Sequence, residues 1–152
     1  MADYRYQQQP ALADAQHGGP ERLAGESRFD AHIGTEWLAL GPDEARGRIR
    51  VEAHHKQPLG LVHGGVFATL AESICSVATY VAVASDGMVV MGQSNDTTLL
   101  RPITEGQLNA LGRPRHRGRT TWVWDVEISD DEERVCALAR IMIAVRPARR
   151  DT

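Results

Sequence analysis

Cysteine is scarce in this 152-residue chain: only Cys75 and Cys136 occur, each inside an apolar run. Two such positions make no disulfide framework, and buried, reduced thiols in a cytoplasmic protein are the expectation. A marked excess of charge of one sign is lacking too. The formal net charge is −3, so nothing pulls the chain globally toward nucleic acid or an acidic membrane. Lys56 is the only lysine, and arginine carries the positive charge. No segment repeats or is of low complexity. Residues 1–26 hold neither the basic stretch and apolar core of a secretory signal nor a helix-turn-helix pattern. They read as a flexible N-terminal tail, leaving 27–150 as a single domain, in keeping with the length. Apolar residues make up 42% and charged ones 24%, the balance of an ordinary globular protein.

Turn signals divide what remains. DAHIGTEWLAL is a short first element, closed by Gly41-Pro42-Asp43, and a strand is expected from about 44 to 54. KQPLGLVHGG is a loop, and it opens a long apolar helix at 64–84. That segment is long enough to raise the question of a membrane span. It holds Glu72 and many small or hydroxylated residues and sits among strands, so the reading is a core helix covered on most faces. Past Asp86-Gly87 the period changes to two. Four strands follow, with turns at Glu105-Gly106, His116 to Gly118 and Asp130 to Glu133. In the third, Trp122, Trp124, Val126 and Ile128 alternate with Val123, Asp125 and Glu127, so one face is strongly apolar. The last is almost continuously apolar and should be central or at an interface. A curled antiparallel sheet wrapped round one helix, an α+β architecture, satisfies this order. Dimerisation would supply the cover that one small sheet cannot.

Chemistry concentrates in LVHGGVFATLAESICSVATY, residues 61–80, where Glu72 is the one acid. A helix starting at Gly64 or Gly65 presents unpaired N–H groups and the positive end of its dipole, an arrangement able to polarise a carbonyl oxygen. Glu72 follows two turns on, and Ser76 lies at i+4 on the same face. A carbonyl held at one such helix end could meet a carboxylate from a helix nearby, such as its dimer partner's, a pairing suited to acyl transfer. Two alternatives stay open on spacing alone: the glycines as a packing or turn device, and Glu72 as a core acid satisfied by Ser76 or by a partner chain. His17-Gly18-Gly19 repeats the tripeptide without a helix after it and receives no function. His54, His55 and His63 lack the spacing of a zinc site, so no metal is expected. Arg113, Arg115, Arg117 and Arg119 would share one face of an extended strand, which suits either phosphate recognition or a solvated surface.

Taken in order, QPLGLVHGG…LAES, MGQSNDTTLLRPITEG, TTWVWDV and IAVRPARRD resemble the hotdog-fold acyl-CoA thioesterases, especially the Arthrobacter-type 4-hydroxybenzoyl-CoA thioesterases. The resemblance covers roughly 30–150. It implies a hotdog fold, assembled as a homodimer or as a tetramer of two dimers, with sites at dimer interfaces. It implies Glu72 as nucleophile or general base, the Gly64 N–H polarising the thioester carbonyl, Gln57 and His63 holding the thioester, and Ser76 orienting water. For the nucleotide end of coenzyme A it points to Arg101, Thr120, Thr121 and Arg149. Arg119 stands where relatives often have serine. Coenzyme A is then part of substrate and product and no separate cofactor is implied. Nucleic acid and membrane are not expected as partners. KQPLGLVHGG and AES resemble equally the 1,4-dihydroxy-2-naphthoyl-CoA hydrolases of menaquinone synthesis, and phenylacetate-pathway enzymes are similar. A non-catalytic acyl-CoA sensor is the reading from another class.

Overall fold

A computed structural model describes residues 27–148. The tail expected at 1–26 and Arg149 lie outside them. The elements are α1 (Arg28–His32), β1 (Thr35–Leu40), β2 (Ala45–Arg50), a 3-10 turn (Ala53–His55), α2 (Gly64–Val83), a second 3-10 turn (Ala84–Asp86), β3 (Met88–Leu99), β4 (Gln107–Arg117), β5 (Thr121–Ser129) and β6 (Val135–Pro147). All six strands form one antiparallel sheet in the order β1-β2-β4-β5-β6-β3. The expected last strand, β6, is indeed interior, between β5 and β3.

Alternation explains the sheet's two faces. Trp122, Trp124, Val126 and Ile128 of β5 are all buried, while Asp125 on the other face pairs with Arg140 at 2.8 Å and Arg115 at 3.2 Å. Ala137, Ala139, Ile141, Ile143 and Val145 continue the inner face on β6. Against it lies the stripe Phe67, Leu70, Ala71, Ile74, Cys75, Ala78 and Thr79 of α2, at the three- and four-residue spacing of one helix side. Its polar member is satisfied: Trp124 Nε1 donates to Thr79 Oγ1 at 2.9 Å, and that hydroxyl donates to Cys75 O at 2.7 Å. The helix crosses β2 so closely that a Cβ at Gly47 would meet Ile74 Cγ2 at 2.7 Å and Glu36 O at 3.2 Å, which explains glycine inside that strand. Both cysteines are free and buried.

Four expectations change. The strand proposed for 44–54 ends at Arg50, because residues 53–55 turn to bury His55. The short first element proves to be α1 and β1 together. β4 continues through Arg117, so the turn expected at His116 to Gly118 falls one or two residues later. The helix is not covered on most faces by this chain: the sheet takes one stripe, and Ala68, Thr69, Glu72, Ser73, Ser76 and Val77 remain half-buried beside an open cleft.

The arginine series does not share a face either. A bulge between Pro114 and His116 breaks its period. Arg113, Arg115 and Arg117 instead approach Glu44, Asp125 and Asp43 at 3.8, 3.2 and 2.7 Å. These are exposed ion pairs, which contribute little to stability.

Candidate functional site

The uncovered side of α2, Asn95 of β3, and Phe29 and Asp30 of α1 line a cleft of about 310 Å³. Glu72 and Ser76 both face it, as the i+4 spacing requires. No hydrogen bond joins them. The partner of Glu72 is Asn95, whose Nδ2 donates to Glu72 Oε2 at 3.2 Å. The acid is therefore not the core residue satisfied by Ser76 that was one reading of the sequence. Behind it Cys75 is inert: burial first, and the Glu72 carboxylate second, push its thiol well above the usual range.

At the start of α2, His63 is the N-cap, and its Nδ1 accepts from Gly65 N at 2.9 Å. That contact leaves the ring proton of neutral His63 on Nε2, the nitrogen turned away from the cap. The Gly64 N–H has no acceptor among the described residues, as a helix N-terminus allows. Gly64 is explained partly by packing, since a Cβ there would meet Leu99 Cδ1 at 2.8 Å. Gln57 folds onto its own loop, its Oε1 accepting from Leu59 N at 2.9 Å.

The residues assigned to coenzyme A do not converge in one chain. Arg119, Thr120 and Thr121 sit together at the β4–β5 turn, where Val145 N and Arg146 donate to Thr120 O at 3.0 and 2.7 Å. Arg101 lies at the other end of β6, its backbone N bonded to Cys136 O at 3.1 Å. Positions 136 and 145 are nine steps apart along the strand, roughly 30 Å.

Asp30, Phe29 and Asn95 were missed by sequence reasoning. Asp30 is 8% exposed, and its Oδ1 is buried without a hydrogen-bond partner among the described residues. The helix of Phe29 and Asp30, α1, is held in place by His55, which is 2% exposed. Its Nδ1 accepts from Glu52 N at 2.9 Å, and its Nε2 lies 3.1 Å from Ile33 O, just past α1. With Nδ1 accepting, Nε2 carries the proton and donates.

Burial, and next the neighbouring His54, lower the His55 pKa from its ordinary value. The unfolded chain then binds the proton first, so this contribution to stability is complete above about pH 6.5 and declines as pH falls below it. We expect the midpoint of thermal unfolding to drop between pH 7.5 and 5 and to drop less in His55→Gln, measured by circular dichroism. Parallel curves for the two proteins would refute the assignment.

Comparison with known proteins agrees with this geometry. Residues 59–137 match the model of the family described as the thioesterase superfamily. A Mycobacterium tuberculosis protein named as an esterase is 37% identical over 123 residues, 80% of this chain and 88% of that protein. Its solved structure superposes with a TM-score of 0.77 and 38% identity, over 80% of this chain and 98% of the other. The proofreading thioesterase EntH of Cronobacter turicensis is 35% identical over 114 residues, 75% of this chain and 82% of its own. A thioesterase structure from Pseudomonas aeruginosa gives a TM-score of 0.79 at 30% identity, over 93% and 98% of the two chains. The sheet curled round α2 is accordingly the hotdog fold, and the chain belongs to the thioesterase superfamily as a thioester hydrolase.

Proposed function

We propose that the protein hydrolyses an aromatic acyl-CoA thioester of the 4-hydroxybenzoyl-CoA kind to the free acid and coenzyme A. The observation that carries the aromatic, hydroxylated acyl group is the wall formed by Phe29 and Asp30. A buried carboxylate oxygen without a donor costs several kcal/mol unless something pairs with it. Asp30 also lines the Glu72 cleft, and a side-chain rotation that turns the buried oxygen toward it would let a ring hydroxyl supply the donor while the ring lies beside Phe29.

Helix geometry supports assembly as at least a homodimer. Gly64 and Glu72 are eight residues apart on one helix, about 12 Å along its axis. A carbonyl oxygen within hydrogen-bond reach of the Gly64 N–H therefore lies too far from Glu72 of the same chain for attack. In this reading the carboxylate comes from a second copy. The uncovered side of α2 and the free edge of β3, where Met91 and Leu99 are exposed, are surfaces for such a partner.

In this reading Glu72 takes a proton from water oriented by Ser76. The water oxygen attacks the carbonyl carbon, the C–S bond breaks, and the thiolate of coenzyme A recovers the proton. Alternatively the Glu72 carboxylate attacks the carbon itself and the C–S bond breaks to release the coenzyme A thiolate; water then cleaves the resulting anhydride to the free acid and the Glu72 carboxylate, and the proton it releases goes to the thiolate. The Gly64 N–H stabilises the oxyanion in both, and the His63 Nε2–H and the Gln57 amide hold the thioester. Arg101, Arg119, Thr120 and Thr121, with Arg149, bind the nucleotide end. Since Arg101 lies far from the Thr120 turn, a single coenzyme A would draw these contacts from more than one chain.

Thiol release from benzoyl-, 4-hydroxybenzoyl-, 1,4-dihydroxy-2-naphthoyl- and straight-chain acyl-CoA tests the proposal. We expect kcat/KM for 4-hydroxybenzoyl-CoA to exceed that for benzoyl-CoA by about 10-fold or more, with the preference lost in Asp30→Ala. Equal rates with and without the ring hydroxyl would overturn the acyl assignment. Preference for the naphthoyl ester would favour menaquinone synthesis, and binding without turnover of any ester would favour a sensor.

A further inference from the structure

We propose that Asn95 is a positioning residue, a brace on β3 that fixes the orientation of the Glu72 carboxylate. This rests on the reading of Glu72 as the acting group. The Asn95 Nδ2 group donates to Glu72 Oε2 at 3.2 Å and to Ala68 O, the carbonyl one helical turn earlier, at 2.9 Å. Thr97 Oγ1 donates to Asn95 Oδ1 at 2.7 Å and so sets which way the amide faces. An asparagine side chain offers two N–H donors and two acceptor lone pairs. Three of these four are committed to fixed partners. Asn95 thus grips one turn of α2 at both its backbone and its carboxylate, with little capacity left for substrate.

The backbone of β3 is shaped for this contact. Gly92 and Asn95 are three residues apart, so in an unbroken strand they would face opposite sides of the sheet. The irregularity between Gly92 and Ser94 shifts the phase, and both residues then meet Glu72. A Cβ at Gly92 would lie 3.0 Å from Glu72 Cδ and closer still to Oε1. One carboxylate oxygen is therefore tied by Asn95 while the other lies against bare backbone. A carboxylate on a helix side otherwise samples several rotamers. Holding it in one makes more of the enzyme competent for attack.

Two measurements decide the matter, the first on Asn95→Leu, which keeps the shape and removes the donors. In an otherwise wild-type enzyme kcat should fall roughly 10- to 100-fold with KM nearly unchanged. In a Glu72→Ala background the same substitution should cost nothing more. An equal loss in both backgrounds, or no loss in either, would overturn the proposal. The second measurement needs no substrate. In proton–nitrogen NMR spectra, Glu72→Ala should shift one of the two Asn95 Nδ2 protons, and an unmoved resonance would also overturn it. If the wild type cleaves no aryl-CoA ester, the functional reading fails and the NMR result alone decides the brace.

Discussion

Glu72→Ala is expected to lower kcat for an aryl-CoA thioester by about 10²–10⁴-fold, the range typical of removing an acid–base group. The protein should still fold, because Glu72 is not among the buried residues of α2 and its one side-chain hydrogen bond is to Asn95. After the change one Asn95 N–H keeps Ala68 O as its acceptor, and the other, on a half-buried side chain lining the open cleft, can donate to water. The expected pattern is a large loss in kcat, a small change in KM, and an unaltered unfolding midpoint and mass in solution. Glu72→Gln keeps the shape and loses the base, and should be nearly as inactive. A Glu72→Ala protein of native mass and stability that retains more than about a tenth of wild-type kcat would remove the carboxylate from the chemistry.

Gly64→Pro is expected to cost about 10²–10³-fold in kcat, the magnitude of losing one oxyanion donor. Proline is a mild substitution here for two reasons. The first helical position needs no intrahelical N–H and favours a fixed φ. The preceding His63 already has φ −65 and ψ 135, the extended conformation a residue before proline prefers. The change therefore deletes the N–H and little else of the backbone. Its side effect is the approach to Leu99, which Gly64→Ala shares. Leu99 is 51% exposed and its contacting atom is the end of a flexible side chain, so it can give way. Alanine retains the N–H and should keep most activity. Equal losses in the two variants would assign the effect to Leu99 and not to the donor.

Much of this arrangement was legible in the sequence because it depends on local period. The apolar run without a breaker gave the helix found at Gly64–Val83, and strict alternation gave the buried side of β5. The i+4 relation of Glu72 and Ser76 survives for the same reason. What period cannot encode was missed or misread. One irregularity in β3 brings Gly92 and Asn95 to the same carboxylate, and another in β4 scatters the arginine series. Phe29 and Asp30 reach the cleft only through tertiary packing, with a histidine 22 positions from Ile33 bonded to the end of their helix. His55 lies just past the stretch, 44–54, that reads as strand, and its burial comes from the turn that follows β2. The separation of Arg101 from Thr120 follows from strand register, which no motif records.

Subunit mixing tests directly the claim that the carbonyl-polarising N–H and the acting carboxylate come from different chains. Glu72→Ala and Gly64→Pro proteins, each nearly inactive, would be unfolded together, refolded and assayed for thiol release. If dimers form at random, half are mixed, and each mixed dimer holds one site with both groups intact. About a quarter of wild-type activity should then return. A refolded mixture that contains mixed dimers, verified by mass, but stays as inactive as its parents would contradict the claim.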